Sequence, residues 1–298
     1  MEFERQTHWH SLIALHLFLA AAGSGIFLVN FALNTQSLYL PLVKVALIIG
    51  PVLVALDTVF LIIDAGVKIK ALQVWALVKN WKASWMSRGV ISIMVFVILG
   101  LIYSIPALWL DWWYGTLFPL GIIAAIFALS IPIYTASLVG TSKGVPFWNS
   151  PALPPLFILS ALLTGIALSF FVIPYVTMGD KVAALHNLAV ASMILIVLQI
   201  MTLYGYLELG RRGSISSDES VHLLVTGPLA PRFWVWLVSI GLVVPFILAV
   251  FSLPVASYGA SSIFTIVGGV LLLVGGYFLR DLILRAGVYV PLYAMPAR

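Results

Sequence analysis

Long, uninterrupted apolar runs constrain this chain more than any other feature. Eight runs of about 20 residues follow one another, and each is long enough to cross the hydrocarbon core as a helix. The mean hydropathy is +1.14 and 62% of the 298 residues are hydrophobic, more than a soluble fold of this size buries. The runs do not alternate with a period of two, which argues against a β-barrel. The sequence therefore predicts an all-α integral membrane protein with eight transmembrane helices, arranged as two four-helix bundles.

The chain is predicted to be one polytopic membrane domain over residues 1–298. It contains no soluble insertion, low-complexity tract or recognisable repeat. The start, Met1 to Arg5, is acidic and lacks the basic region of a signal peptide, so the first run is expected to remain as a helix. The predicted spans are 12–33, 41–63, 86–107, 115–139, 152–173, 182–207, 233–251 and 261–282.

The few charges are distributed asymmetrically. An even number of spans puts both termini on one side, and thirteen of the fifteen Lys and Arg residues, Arg280 among them, fall on that side. By the positive-inside rule the termini are cytoplasmic. One loop carries four lysines (Lys68, Lys70, Lys79 and Lys82), and it either sets the topology as a solvated loop or docks a soluble partner, or does both. No basic domain lies outside the spans, so nucleic acid is not an expected partner.

The lack of cysteine and the positions of the histidines limit which cofactors this chain can bind. The protein has no cysteine, so it has no thiolate ligands for an iron–sulfur cluster or structural zinc. A bis-histidine haem needs two histidines at one depth on facing helices. His16 lies near the start of the first span and His186 near the opposite surface, so they do not form such a pair. No metal site is predicted on this chain.

Ionisable residues within membrane spans are costly, so each is a functional candidate. His16, Asp64 and Tyr134 come from three different spans and are predicted to lie at one depth under the terminal side. A histidine, a tyrosine hydroxyl and a carboxylate suit a quinone head group, whose carbonyls accept hydrogen bonds and whose redox cycle moves two protons. The alternative is structural: His16 as an interhelical hydrogen-bonding residue and Tyr134 as an interfacial anchor.

Asp57 and His186 are candidates for a proton path. Asp57 precedes Asp64 by seven residues, which puts the two on nearly one helix face about 10 Å apart. Asp57 either relays protons deeper into the membrane, with His186 as a further step, or is a neutral carboxylic acid bonded to a neighbouring helix.

Four stretches resemble the NrfD-like family, the membrane subunits of polysulfide reductase and related molybdenum or tungsten oxidoreductases. The resemblance covers roughly the first five spans. The four stretches are residues 9–25 with His16 before the glycines, Asp64-Ala65-Gly66 with the basic loop and Ser84-Trp85-Met86-Ser87-Arg88-Gly89, residues 134–140 from Tyr134 to Gly140, and residues 146–165 from Pro146-Phe147-Trp148 to Gly165.

The resemblance implies an anchor in a prokaryotic cytoplasmic membrane that serves anaerobic electron transport. A quinone (menaquinone or ubiquinone) would bind at His16, Tyr134, Asp64 and Arg88, without haem or an iron–sulfur cluster on this chain. The implied partners are a ferredoxin-like four-cluster iron–sulfur subunit and a molybdopterin subunit with molybdenum or tungsten, besides membrane lipid.

Two points stay open at this stage. Several family members carry their soluble subunits on the outer face, on the side of the termini, whereas the cation count makes that side cytoplasmic. The rival functions are a secondary transporter and a proton-translocating subunit without direct quinone chemistry. A transporter is expected to have discontinuous helices and paired charges at mid-bilayer.

Overall fold

The computed structural model describes residues 4–7, 9, 11–34, 40–64, 82, 84–109, 116–175, 181–255 and 261–290. Nearly all of these residues are helical. Within these ranges the only extended pairing is an isolated antiparallel bridge between Arg5 and Val288. The predicted all-α class is confirmed.

The main helices follow the predicted apolar runs closely. A short helix, α7, lies in the connection after the sixth run, and the seventh run begins as a π-helical segment, Arg232–Val243, which continues into α8. The helices are α1 Ser11–Asn34, α2 Leu40–Asp64, α3 Trp85–Trp109, α4 Phe118–Gly140, α5 Leu153–Val172, α6 Lys181–Arg211, α7 Ile215–Val225, α8 Val244–Val255 and α9 Ser261–Arg285. Short 3-10 turns occupy Pro146–Trp148 and Ile173–Tyr175.

Seven helices in the described part of the protein are long and apolar enough to cross a membrane. They make this a multi-pass membrane protein. The second predicted span, 41–63, is not among the seven; it corresponds to α2, a 25-residue helix, and the count of eight crossings stays a prediction. The seven are Ser11–Leu33, Trp85–Pro106, Phe118–Gly140, Leu153–Tyr175, Lys181–Arg211, Arg232–Leu253 and Ile263–Arg285.

Helices α1 and α5 lie at the centre of the packing and contact both consecutive and distant helices. Helix α1 packs on α2, α4 and α5, while α3 packs on α2 and α4. Helix α5 in turn packs on α6 and α9, and α9 packs on the π-helical segment and α8. The buried hydrophobic residues form two clusters, one mainly among α1–α4 and the other mainly among α5–α9.

Glycines allow the two central helices to approach closely. A Cβ atom added to Gly25 of α1 would overlap the backbone of Ala161 in α5, and one added to Gly165 would overlap the backbone of Gly25. Small residues are the usual means by which membrane helices pack with their backbones in contact. This contact joins the two clusters.

Trp148, in the α4–α5 connection, packs between α9 and the N-terminal segment. The Trp148 side chain is fully buried, its Nε1 donates to the Ile283 carbonyl at 2.8 Å, and its ring lies 5.5 Å from that of Trp9. Gln6 Nε2 donates to the Leu284 carbonyl at 3.0 Å. The N-terminal segment and the α4–α5 connection are therefore both fixed on α9.

Candidate functional site

A buried histidine–carboxylate pair joins α1 to α2. Nδ1 of His16 lies 2.8 Å from Oδ2 of Asp57, with only 11% and 1% of the two side chains exposed. The two atoms are within hydrogen-bonding distance, and Asp57 Oδ1 has no hydrogen-bond partner in the described part of the protein. His16 is thus the partner of the Asp57 carboxylate in this contact. A buried carboxylate is costly without such a partner.

The register of the two helices explains why this pair forms. A Cβ atom on Gly23 would lie 2.8 Å from the Gly50 carbonyl oxygen, and one on Gly50 would lie 2.8 Å from the Gly23 carbonyl oxygen. The backbones of α1 and α2 therefore meet at these glycines. His16 is seven residues before Gly23 and Asp57 is seven residues after Gly50. Because α2 runs back along α1, both steps lead about 10 Å in the same direction, on the contact face.

Tyr134 lies next to this pair, on α4. Its side chain is 6% exposed, and the Asp57 carboxylate is close enough to act on its hydroxyl electrostatically. The ring packs on Gly89 of α3, where an added Cβ atom would overlap it. The site therefore draws one residue each from α1, α2 and α4, with Gly89 of α3 providing the space for the ring.

Arg88 lies at the start of α3, beside Gly89, with an exposed side chain. Its Nη2 donates to the Lys82 carbonyl at 2.8 Å, and its guanidinium lies 4.7 Å from the centre of the Trp85 ring. The neighbouring Ser87 is buried, and its hydroxyl has no hydrogen-bond partner among the described residues.

Several residues of the predicted site and docking surface are not placed beside His16, or lie outside the described residues. Asp64 is the last residue of α2, about 10 Å along the helix from Asp57, and its side chain lies outside the described part. Lys68, Lys70 and Lys79 lie outside the described residues, and Lys82 is exposed.

Two further predictions concern the sixth span. His186 lies in the first turns of α6 with an exposed side chain. Glu208, one residue beyond the predicted span 182–207, lies in the last turn of α6, where it pairs with Arg212 at 2.7 Å.

Arg280, counted among the cations on the side of the termini, is not exposed. It is fully buried on α9, where its Nη1 donates to the Ser160 hydroxyl at 2.9 Å and to the Gly276 carbonyl at 2.8 Å. Its guanidinium lies 5.1 Å from the centre of the Phe157 ring. Nε and Nη2 have no partner in the described ranges, nor has Oε1 of the buried Gln199. An arginine inside a predicted span is the signal that sequence reasoning could have used.

The described residues contain no cluster of three or more His, Asp or Glu side chains that could hold a metal ion. The candidate site instead has one imidazole, one carboxylate and one phenol, at the interface of three helices. These groups can donate and accept hydrogen bonds and transfer protons.

Fold and site together define a polytopic α-helical membrane protein with a buried polar site. The model of the family "Polysulphide reductase, NrfD" matches residues 2–291, and the chain belongs to this family.

Named relatives are similar along much of the sequence. The C chain of polysulfide reductase from Wolinella succinogenes is 26% identical, over 94% of this protein and 94% of its own length. Protein NrfD of Escherichia coli is 25% identical, over 80% of this protein and 83% of its own length. The NrfD homolog of Haemophilus influenzae is 28% identical over a shorter stretch, 57% of this protein and 52% of its own length.

Proposed function

We propose that this chain is the membrane-anchor subunit of a respiratory oxidoreductase complex. In this role it exchanges electrons and protons between the membrane quinone pool and a docked iron–sulfur subunit. Eight crossings in two four-helix bundles, in a prokaryotic cytoplasmic membrane, are part of the proposal. Membership of the NrfD family and similarity to the C chain of polysulfide reductase support it.

The observation that carries the proposal is the buried pair of His16 and Asp57, with Tyr134 beside it. A bound quinone would supply a two-electron redox couple whose carbonyls become hydroxyls on reduction. The residues present fit such a head group, because the Tyr134 phenol can donate a hydrogen bond to a carbonyl oxygen and the His16 imidazole can do so when it is protonated.

His16 and Asp57 have distinct roles in this proposal. His16 is the proton-transferring group, since imidazole changes charge near neutral pH. With Nδ1 directed to Asp57, Nε2 is the nitrogen left for the quinone. Asp57 stabilises the imidazolium that forms when His16 takes a proton, as a carboxylate does in a catalytic triad. Tyr134 is a second hydrogen-bond donor. Asp64 and Arg88 remain proposed members of the pocket rim.

The proposal includes two soluble partners. Because this subunit has no cysteine, the iron–sulfur clusters belong to another subunit, here a ferredoxin-like four-cluster protein. A molybdopterin subunit with molybdenum or tungsten completes the complex, as the family resemblance implies. The proposed docking surface comprises Lys68, Lys70, Lys79 and Lys82.

The site test compares two activities of the intact complex. His16→Ala and Tyr134→Phe should abolish quinone-linked turnover, while electron transfer from the soluble subunits to an artificial dye persists. His222→Ala is a matched control, because His222 is exposed on α7. Unchanged quinone kinetics in both site variants would remove the assignment.

Gentle purification distinguishes the proposed membrane anchor from a secondary transporter. Co-elution with a cysteine-rich iron–sulfur subunit supports the anchor and contradicts a secondary transporter. Elution of this subunit alone contradicts the anchor.

A proton path through Asp57 and His186 is the last element of the proposal. His186→Ala should reduce proton uptake per quinone turned over in proteoliposomes, without weakening quinone binding. An unchanged proton stoichiometry would exclude His186 from the path.

A further inference from the structure

A second candidate site lies between α6 and the π-helical segment, whereas His16 lies on α1. It is a groove of about 260 Å³ with a mostly apolar lining. The lining residues are Ile200, Leu203, Tyr204, Leu207, Glu208, Arg211, Val225, Phe233, Trp234, Val238 and Leu242.

The groove has the length of one membrane leaflet. On α6 it runs from Ile200 to Arg211 along one helix face, a rise of about 16 Å. Half of a hydrocarbon core is about 15 Å. The π-helical segment runs antiparallel, from Phe233 beside α7 to Leu242 at the far end. The charged end of the groove therefore lies where α6 ends and the next span begins, at one membrane surface.

The charges at that end favour an anion. Glu208 pairs with Arg212 at 2.7 Å, whereas its distance to Arg211 is 3.9 Å, so Arg212 is its main partner. Arg211, at the mouth of the groove, is therefore only weakly paired with Glu208. Arg232, directly before the lining residue Phe233, is exposed and has no acidic partner within 4 Å in the described part of the protein.

Two aromatic residues flank the groove as they do at a membrane interface. Tyr204 and Trp234 both line it and are 68% and 50% exposed. The indole Nε1 of Trp234 donates to the Val225 carbonyl at 3.0 Å, which holds the ring against α7. Aromatic side chains with one polar atom prefer the headgroup region, above the acyl chains.

We propose that this groove binds one anionic phospholipid, with an acyl chain along α6 and the phosphate at Arg211 and Arg232. Basic pockets between spanning helices bind acidic headgroups in this way. An isoprenoid quinone tail has no charge to match the two arginines. This lipid site goes beyond the proposed quinone function and shares no residue with it.

The test is lipid retention by the purified full-length protein, measured by native mass spectrometry. Phosphatidylglycerol and phosphatidylcholine with the same acyl groups are the probes. Wild type should retain one phosphatidylglycerol and no phosphatidylcholine. The double variant Arg211→Gln, Arg232→Gln should bind phosphatidylglycerol about 30-fold more weakly, from about fivefold per arginine. Both side chains are exposed, so folding should be unaffected.

Two further variants separate the groove from the charge. Lys143→Gln removes an exposed cation outside the groove and should leave retention unchanged. Val238→Trp fills the groove with both arginines in place and should also reduce retention. Equal retention in all variants, loss in the arginine variant but not in Val238→Trp, or a quinone as the retained species would each overturn the proposal.

Discussion

Nδ1 of His16 and Oδ2 of Asp57 lie 2.8 Å apart because each residue is seven positions from a glycine at which α1 and α2 touch. The contact of Gly23 with Gly50 fixes the axial register, and the register brings an imidazole to a carboxylate in the apolar interior. Without His16, Asp57 would be a buried carboxylic acid lacking a close partner in the described part of the protein.

Asp57→Asn tests whether the carboxylate acts through His16. The amide keeps the shape but cannot stabilise an imidazolium, so quinone-linked turnover of the complex should fall about 100-fold or more. Dye-linked activity of the soluble subunits should not change. Asp218→Asn, in the exposed first turn of α7, is the control. Wild-type quinone turnover in Asp57→Asn would mean that the pair is only structural.

Gly89→Ala tests the position of Tyr134 without removing its hydroxyl. The added methyl group would overlap the Tyr134 ring, so the ring must move away from its place beside Asp57. We expect quinone-linked turnover to fall, with KM rising because a hydrogen-bond donor is displaced.

The control is Gly205→Ala on α6, where an added Cβ meets nothing within 4 Å. Alanine there should raise helix stability by up to about 1 kcal/mol. If both variants have the same quinone kinetics, then the Tyr134 position does not matter for turnover.

The sequence predicts the long helices well because each of them is a continuous apolar run. It also places His16 and Tyr134 under the terminal side, since span boundaries fix depth to within about a turn. Hydropathy does not show which carboxylate meets His16. Asp57 and Asp64 share a helix face, and only the glycine contact, formed by backbones of two helices, selects Asp57.

The position of Arg280 is missed for a related reason. A cation near the end of an apolar run ordinarily extends its head group to the surface. Here the Ser160 hydroxyl and the Gly276 carbonyl accept hydrogen bonds from it in the interior. Gly276 precedes Arg280 by one turn of α9, but Ser160 lies on α5, so its position is a matter of tertiary packing that no local window contains. The same holds for the groove between α6 and the π-helical segment.

Gly165→Ala tests the contact between α1 and α5. Its added Cβ would overlap the Gly25 backbone, which cannot rotate away as a side chain can, so the two helices must separate. Overpacking of this kind costs about 1–3 kcal/mol. Thermal unfolding in detergent should show a clearly lower midpoint. Gly268→Ala, whose Cβ has its nearest neighbour at 3.8 Å, should unfold like wild type. Equal midpoints would show that the helices can adjust.

Two methionine variants on α9 should differ in the sign of their effect on stability. Arg280→Met removes a buried charge with unpartnered Nε and Nη2 atoms and fills its space with an apolar side chain of similar length. Replacing such a charge by an apolar residue is often neutral or stabilising, so the free energy of unfolding should stay level or rise.

Arg285→Met should instead destabilise the protein. Arg285 Nε donates to both oxygens of Asp281 at 2.8 Å, and the Asp281 side chain is only 5% exposed. Removing the guanidinium leaves a buried carboxylate without its partner, at a cost of about 1–3 kcal/mol. Unfolding of both variants in the same detergent, monitored by circular dichroism, measures the difference in their stability. A larger loss in Arg280→Met than in Arg285→Met would show that the Arg280 charge has a compensating group beyond Ser160, Gly276 and Phe157.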